Sequence, residues 1–260
     1  SKYGATRVIT ITNPDLENFD AHIISNVIAQ VAKNSVSSYV VVSSSVNSRY
    51  MSPLLAVELE AGYLSNVMEL PSDLNPFTVK RTAFTNKAFC DTTIKSNIKI
   101  IGLSSNAFGI VENETNSSEE QFKPTLLDKK ITVKSTEKVS GKISIADADI
   151  VVSAGRGLKG PENWNLIEDL AQTLGAATAC SKPVSDMGWR PHSEHVGQTG
   201  KPVSTNLYIA IGISGAIQHL AGINSSKIKV VINNDPEAPF FKAADYGVVG
   251  DAFDVVPKLN

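Results

Sequence analysis

The chain has 260 residues, 42% of them hydrophobic and 19% charged, with 24 Lys plus Arg against 26 Asp plus Glu and a formal net charge of -2. That balance excludes a disordered tail and a protein devoted to coating nucleic acid, which needs a basic excess, and the length allows one large domain or two ordinary ones. No apolar run reaches the roughly 18 residues of a membrane span, and two cysteines, Cys90 and Cys180, cannot form a disulfide framework and suit a reducing compartment.

Residues 7 to 12 (RVITIT) form a short β-rich run, and the opening SKYGATRVITIT lacks the apolar core of a secretion signal. Phe19, Ile23, Ile24, Val27, Ile28 and Val31 then recur at helical spacing, and Asn34 closes that helix. SYVVVSSS (38 to 45) has the continuous apolar pattern of a buried parallel strand. PLLAVELEAG (53 to 62) reads as a second helix with a glycine stop. VMELPSD, FTVKRTAFTN, AFCDTTIKSN and IKIIGLSS are short β runs separated by turn residues. Residues 112 to 124 are polar and acidic without a period and read as a loop. Residues 131 to 148 read as a strand running into a linker, which places a domain boundary at 137/138.

The last part is the most regular. ADIVVSAG (148 to 155) is a buried strand, followed by a helix over about 163 to 174 with Leu166, Ile167, Leu170 and Leu174 on one face. AATAC, LYIAIGI, IKVVIN and YGVVGD supply four more strands. The expected fold class is therefore α/β with two domains. Residues 1–137 form an α/β layer with extra strands, and residues 138–260 form a Rossmann-like parallel sheet with helices on both faces.

Open parallel sheets bind ligands at the carboxyl ends of their strands. Here all five ends deliver polar or glycine-rich groups: Arg156 between Gly155 and Gly157, then Ser181 and Lys182, then Ser214 to His219, then Asn233, then Asp251. AGRGLKG carries the G-x-G-x-x-G spacing of a dinucleotide fingerprint. The acidic residue that should follow about 20 positions later is replaced by Cys180, Ser181 and Lys182, which argues against an ordinary NAD site. SGAIQHL offers backbone N–H groups at the start of a helix, where a phosphate could sit. VGQTGK (196 to 201) is a glycine-bounded loop able to line a planar ligand. His192, Glu194 and His195 lack the further ligands of a metal site, and no nucleophile stands with a base.

SAGRGLKGPENW, ACSKPVSDMGW, VGQTGKPVSTNLYIAIGISGAIQHLAGI, INNDPEAPFFKAADYGVVGD and the closing VVP resemble the FAD-binding domain of the electron transfer flavoprotein alpha subunit. The resemblance runs from about Val151 to Pro257. It implies FAD, which fits the missing acid. It places Arg156 beside the isoalloxazine ring and Ser181 nearby. Val196, Gly197, Gln198 and Thr199 would line the flavin, with Thr199 reaching the reactive ring nitrogen. Ser214, Gly215, Ala216, Ile217, Gln218 and His219 would hold the phosphates and, through His219, the pyrimidine carbonyl. Asn233 would meet the phosphate or ribose, and Asp251 with Ala252 the adenosine end.

One departure is Lys182, where the family commonly has Arg: an ammonium keeps the charge but stacks poorly on a ring. The N-terminal domain resembles the family less closely, with Asn47 and Asn86 where glycine is usual and Ser104 near where a basic residue is usual. The resemblance implies about two further strand–helix units before the equivalent of RVITIT, so that either this chain is naturally short or its start has been lost. The resemblance further implies an electron carrier without substrate turnover of its own. Its partners would be a beta subunit, acyl-CoA dehydrogenases that supply electrons and a membrane quinone oxidoreductase that takes them. A bacterial cytoplasm or a mitochondrial matrix would be the compartment. An NADH-linked bifurcating form stays open as the alternative.

Overall fold

The computed structural model describes residues 1–84, 87–135 and 143–260. The boundary expected at 137/138 and Asn86 both lie outside the described residues. The chain divides into two compact units, Ser1–Arg81 with Cys90–Lys138, and Thr82–Phe89 with Val139–Asn260.

In the first unit β1 (Arg7–Thr10) is followed by α1 (Ala21–Asn34), whose start is fixed by Asp20, a side chain that accepts from the His22 and Ile23 amides. Next come β2 (Tyr39–Ser43), α2 (Val46–Leu59), β3 (Gly62–Val67), β4 (Asp73–Leu74), β5 (Phe77–Ala83), β6 (Ala88–Ile94), β7 (Lys99–Leu103) and β8 (Ser118–Gln121). The main sheet runs β2-β7-β3-β5-β4, with β6 paired to β5. Its β2, β7 and β3 are parallel, whereas β5 pairs antiparallel to β3 and β4. Consecutive Ile100 and Ile101 face opposite ways. Ile100 packs with Ala29, Ala32, Leu55 and Leu59 of the two helices, and Ile101 with Leu64, Val67, Phe77 and Val79.

Several expectations for this unit need correction. The 38–45 run does form a parallel strand, but β2 lies at the sheet edge, with Tyr39 and Val41 exposed. The second helix begins at Val46, seven residues earlier than its apolar stretch, because Ser45 caps it by accepting from the Ser48 amide. It ends on Glu60 in the left-handed conformation at φ 49, not on Gly62. The 112–124 stretch contains β8, which pairs in parallel with β1 and joins it through the Arg7–Glu120 ion pair. Among the described residues of 131–148 no strand forms. These segments are short and ladder-dependent, so local pattern carried little of their structure.

The second unit contains β9 (Ile150–Ala154), α3 (Asn165–Leu174), β10 (Ala177–Cys180), α4 (Lys182–Asp186), β11 (Leu207–Ile211), α5 (Ile217–Leu220), β12 (Ile228–Asn233), β13 (Tyr246–Val249) and α6 (Ala252–Val255). All pairings are parallel, in the order β10-β9-β11-β12-β13. Alternate residues feed two cores. Val152, Ile209, Ile211 and Ile232 pack with Ile167 and Leu170 of α3 and with Val256, while Val151, Tyr208, Ala210 and Val231 pack with Ile223 and Phe240. Burying a side chain such as Ile167 contributes roughly 1.5–3 kcal/mol. Gly175 ends α3 at φ 61, a left-handed stop that costs glycine nothing.

The order in which strands are added across this sheet reverses between β9 and β11: β10 lies outside β9, and the later strands lie on the other side of β11. That is the switch point at which a crevice opens beyond the strand ends.

Candidate functional site

A cavity of about 760 Å³ opens at this switch point. Its size falls in the range of cofactor pockets. Its floor is made by the close approach of two backbones. A Cβ on Gly155 would lie 2.3 Å from the Gly212 carbonyl oxygen, and one on Gly157 would lie 2.6 Å from Gly212 Cα. Gly212 itself stands at φ +60. Only glycine lets the loops after β9 and β11 touch in this way.

Of the residues expected at the site, Arg156, Ser181, Lys182, Val196, Gly197, Gln198, Thr199, Ser214, Ala216, Gln218, His219 and Asn233 line the cavity. The 196–199 loop is held against α5 by the Gln198 amide, which donates to the Gln218 carbonyl at 2.7 Å. Gly215, Ile217, Asp251 and Ala252 do not line it. Gly215, at φ +88, serves packing, since a Cβ there would sit 2.5 Å from the Phe240 nitrogen. Ile217 is exposed. Asp251 caps α6 through the Phe253 amide and pairs with Lys159 at 3.3 Å, while Ala252 is buried in the core. The helix after Ser214 is a single turn, so it supplies a weaker positive end than a full helix would.

Electrostatically the two cations differ. Arg156 is exposed at the cavity wall and makes no ion pair among the described residues. Lys182 is held by Asp186, with Nζ 3.0 and 2.8 Å from the two carboxylate oxygens. The Lys182 hydrogen bond holds the Asp186 carboxyl below its usual range. Lys182 therefore brings little net charge to the cavity, and Arg156 is the unopposed cation there.

His219 is buried, with Nε2 2.9 Å from the Tyr208 hydroxyl and Nδ1 without a hydrogen-bond partner. Burial, followed by the charge of His195, lowers its pKa to about 4, opposed by the Val196 backbone. Its ring is neutral at pH 7. Tyr208 is also fully buried, and burial raises its pKa, so it keeps its proton. Asn233 has its amide spent on protein: Nδ2 donates to the Ile213 carbonyl at 3.0 Å, and Oδ1 accepts from the Asp235 amide at 3.0 Å. Cys180, at the end of β10, is pushed up to about 12 by burial first and then by Glu194, so it is no nucleophile.

The cavity also takes in Gly155, Gly157, Pro183, Asp186, His195, Gly212, Ile213 and Asp235. Gly155 and Gly157 are visible in AGRGLKG and Asp235 in NNDP, but His195 has no local signal. Its metal-type neighbour Glu194 is claimed by Arg190, which grips both carboxylate oxygens at 2.7 and 2.8 Å. Among the described residues no group of three or more His, Cys, Asp or Glu side chains could hold a metal. No helix among them is long and apolar enough to cross a membrane.

Comparison with known proteins agrees with the resemblance. The family model of the electron transfer flavoprotein FAD-binding domain matches residues 144–224, and that of the electron transfer flavoprotein domain matches residues 1–126. The chain is 36% identical over 262 residues to an electron transfer flavoprotein subunit alpha of Bacillus subtilis (strain 168), spanning 99% of this chain and 80% of the relative. It is 36% identical over 259 residues to one of Pseudomonas aeruginosa, spanning 99% and 82%. It is 34% identical over 272 residues to a mitochondrial one of Dictyostelium discoideum, spanning 99% and 76%. With relatives this similar along nearly its whole length, the chain belongs to the electron transfer flavoprotein alpha-subunit family, with an FAD-binding domain in its second half.

Proposed function

We propose that the cavity at the switch point is the FAD site and that the chain carries electrons as one half of a heterodimer with a beta subunit. The observation that supports this most is the convergence of an unopposed cation, Arg156, with an unpartnered buried nitrogen, His219 Nδ1, in one cavity of cofactor size. A buried nitrogen without a partner is costly and marks a place for a ligand atom. The residues present fit a large ligand with a polar, electron-accepting ring. FAD, when bound, supplies the electron-carrying chemistry.

This chain's own residues set the conditions for it. Arg156 raises the positive potential beside the ring and so favours negative charge there. The neutral His219 ring is anchored at Nε2 by its 2.9 Å hydrogen bond with the Tyr208 hydroxyl, which fixes the imidazole at the cavity wall. Thr199 and Gln198 offer side-chain hydrogen bonds from the loop above. The buried Val196, together with Ile213, keeps water from the floor. Asn233 positions the loops that carry Ile213 and Asp235.

The FAD-binding domain on this reading is residues 138–260 and the N-terminal domain residues 1–137. Electrons come from flavin dehydrogenases of the acyl-CoA type and leave to a membrane quinone oxidoreductase. The chain turns over no substrate of its own, and it works in a bacterial cytoplasm or a mitochondrial matrix. The deciding experiment is a visible absorption spectrum of the chain co-expressed with its beta subunit. A yellow heterodimer with about one FAD is expected, and a colourless protein indifferent to added FAD overturns the reading.

A further inference from the structure

We propose that His195 is a further residue of this cofactor site, whose imidazole contacts bound FAD and, coupled to the exposed His192, makes the flavin's potential respond to pH. This rests on the FAD reading of the cavity.

His195 lines the cavity, is 1% exposed, and leaves Nδ1 buried without a hydrogen-bond partner. Its backbone is pinned. The His195 amide donates to the His192 carbonyl at 3.2 Å, and its carbonyl accepts from the Lys201 amide at 2.8 Å. The ring is clasped by the two glycines of VGQTG. A Cβ on Gly200 would lie 2.8 Å from His195 Cγ, and one on Gly197 would lie 3.3 Å from Nε2. The imidazole therefore has a fixed place, and the loop expected to line the flavin is built around it.

The charged and titratable groups around it come from several elements. His192, on the same turn, has its ring centroid 5.2 Å away and its Nδ1 3.2 Å from the Ser185 hydroxyl. From α4 come Lys182 and Asp186, and from α5 comes His219. Glu194 and Arg190 are paired with each other, and Cys180 beside the loop keeps its proton. Burial, then the charges of His192 and Lys182, hold His195 below its ordinary pKa, while Asp186 pulls the other way. The ring is neutral at alkaline pH. As the pH falls the ring takes a proton from hydronium: an N–H bond forms, an O–H bond breaks, water is released, and one positive charge is added at the cavity wall. That charge favours electron uptake by the ligand beside it.

The test uses the FAD-loaded heterodimer with wild type, His195→Gln, His195→Leu and His192→Gln. Midpoint potentials are measured from about pH 5 to about pH 9, a range that brackets histidine titration, and FAD dissociation constants are measured by flavin fluorescence. His195→Gln should track wild type at alkaline pH and fall progressively below it as the pH drops. His195→Leu, which cannot hydrogen-bond, should weaken FAD by about threefold to tenfold. His192→Gln, on an exposed residue that does not threaten folding, should move the bend to higher pH by removing a like charge. Potential curves of wild type and His195→Gln that run parallel, with an unmoved bend in His192→Gln, overturn the inference while leaving FAD in the cavity. Failure of wild type to hold FAD overturns the site reading and this inference with it.

Discussion

The Tyr208 hydroxyl lies 2.9 Å from Nε2 of His219, and both side chains are buried beneath the cavity. Tyr208 comes from β11 and His219 from α5, so this bond ties a strand to the turn that follows it. It also decides which nitrogen of His219 is left for a ligand. Tyr208→Phe should weaken FAD binding by about threefold to tenfold and lower stability by about 1 kcal/mol, because it removes one buried hydrogen bond. Flavin fluorescence titration and a thermal melt check the two effects. Unchanged affinity would separate the tyrosine from the site.

His219 gives the fold a pH signature. Burial holds its pKa at about 4 in the folded chain, against roughly 6.5 for an ordinary histidine, so the unfolded chain binds the proton more readily between those values. Stability from this group is present above pH 6.5 and is lost as the pH falls toward 4, by an amount on the order of 3 kcal/mol. His219→Gln should flatten the dependence of unfolding free energy on pH in that window. Denaturant melts at several pH values measure it, and identical slopes in the two proteins would contradict the assignment.

Arg156 is exposed and unpaired among the described residues, so its removal should barely touch the fold. Arg156→Ala should melt within about 0.5 kcal/mol of wild type and lower the potential of the bound flavin. A redox titration that shows no shift removes Arg156 from the mechanism.

The opposite change is expected at Asp186. Asp186→Asn releases Lys182 as a second free cation at the cavity wall, so the flavin potential should rise and its salt dependence should steepen. Potentials measured at low and high ionic strength check this, and coincident values would show that the pair carries no influence at the ring.

Gly157 tests the floor. A Cβ there would lie 2.6 Å from Gly212 Cα, backbone against backbone, where neither side can yield cheaply. Gly157→Ala should destabilise the second unit by more than about 2 kcal/mol and impair FAD retention. Thermal melts and flavin content decide it.

The second unit was largely legible in its residues. The stretches Ile150 to Val152 and Val230 to Ile232 are continuously apolar because both faces of a parallel sheet are covered, and the strand ends announce themselves by glycine and polar residues. The first unit was less so. Val46 to Ser52 carries no continuous apolar face, yet it is helical because Ser45 caps it and the Leu55 and Leu59 end is buried. β8 is all polar and exists only by pairing with β1, a partner more than 100 residues away. At the site, the motif residues were readable; the pairing of Lys182 with Asp186 needs only the turn of α4 that sets them four residues apart, whereas the burial of His195 depends on how the 192–201 segment folds onto the sheet. Gly215 also packs against Phe240 and Asp251 also caps α6, roles that the motif alone does not announce.

The reversal of strand order between β9 and β11 also governs when the cofactor can be captured. The cavity wall draws on segments from Gly155 to Asp235, so it has no shape until both flanks of the sheet are laid down. During synthesis, the glycine loop after β9 emerges long before its opposite bank at Gly212, and longer still before Asn233. On the proposed FAD reading of this cavity, flavin loading is a late event in biogenesis, and a chain stalled short of β12 has no place for it.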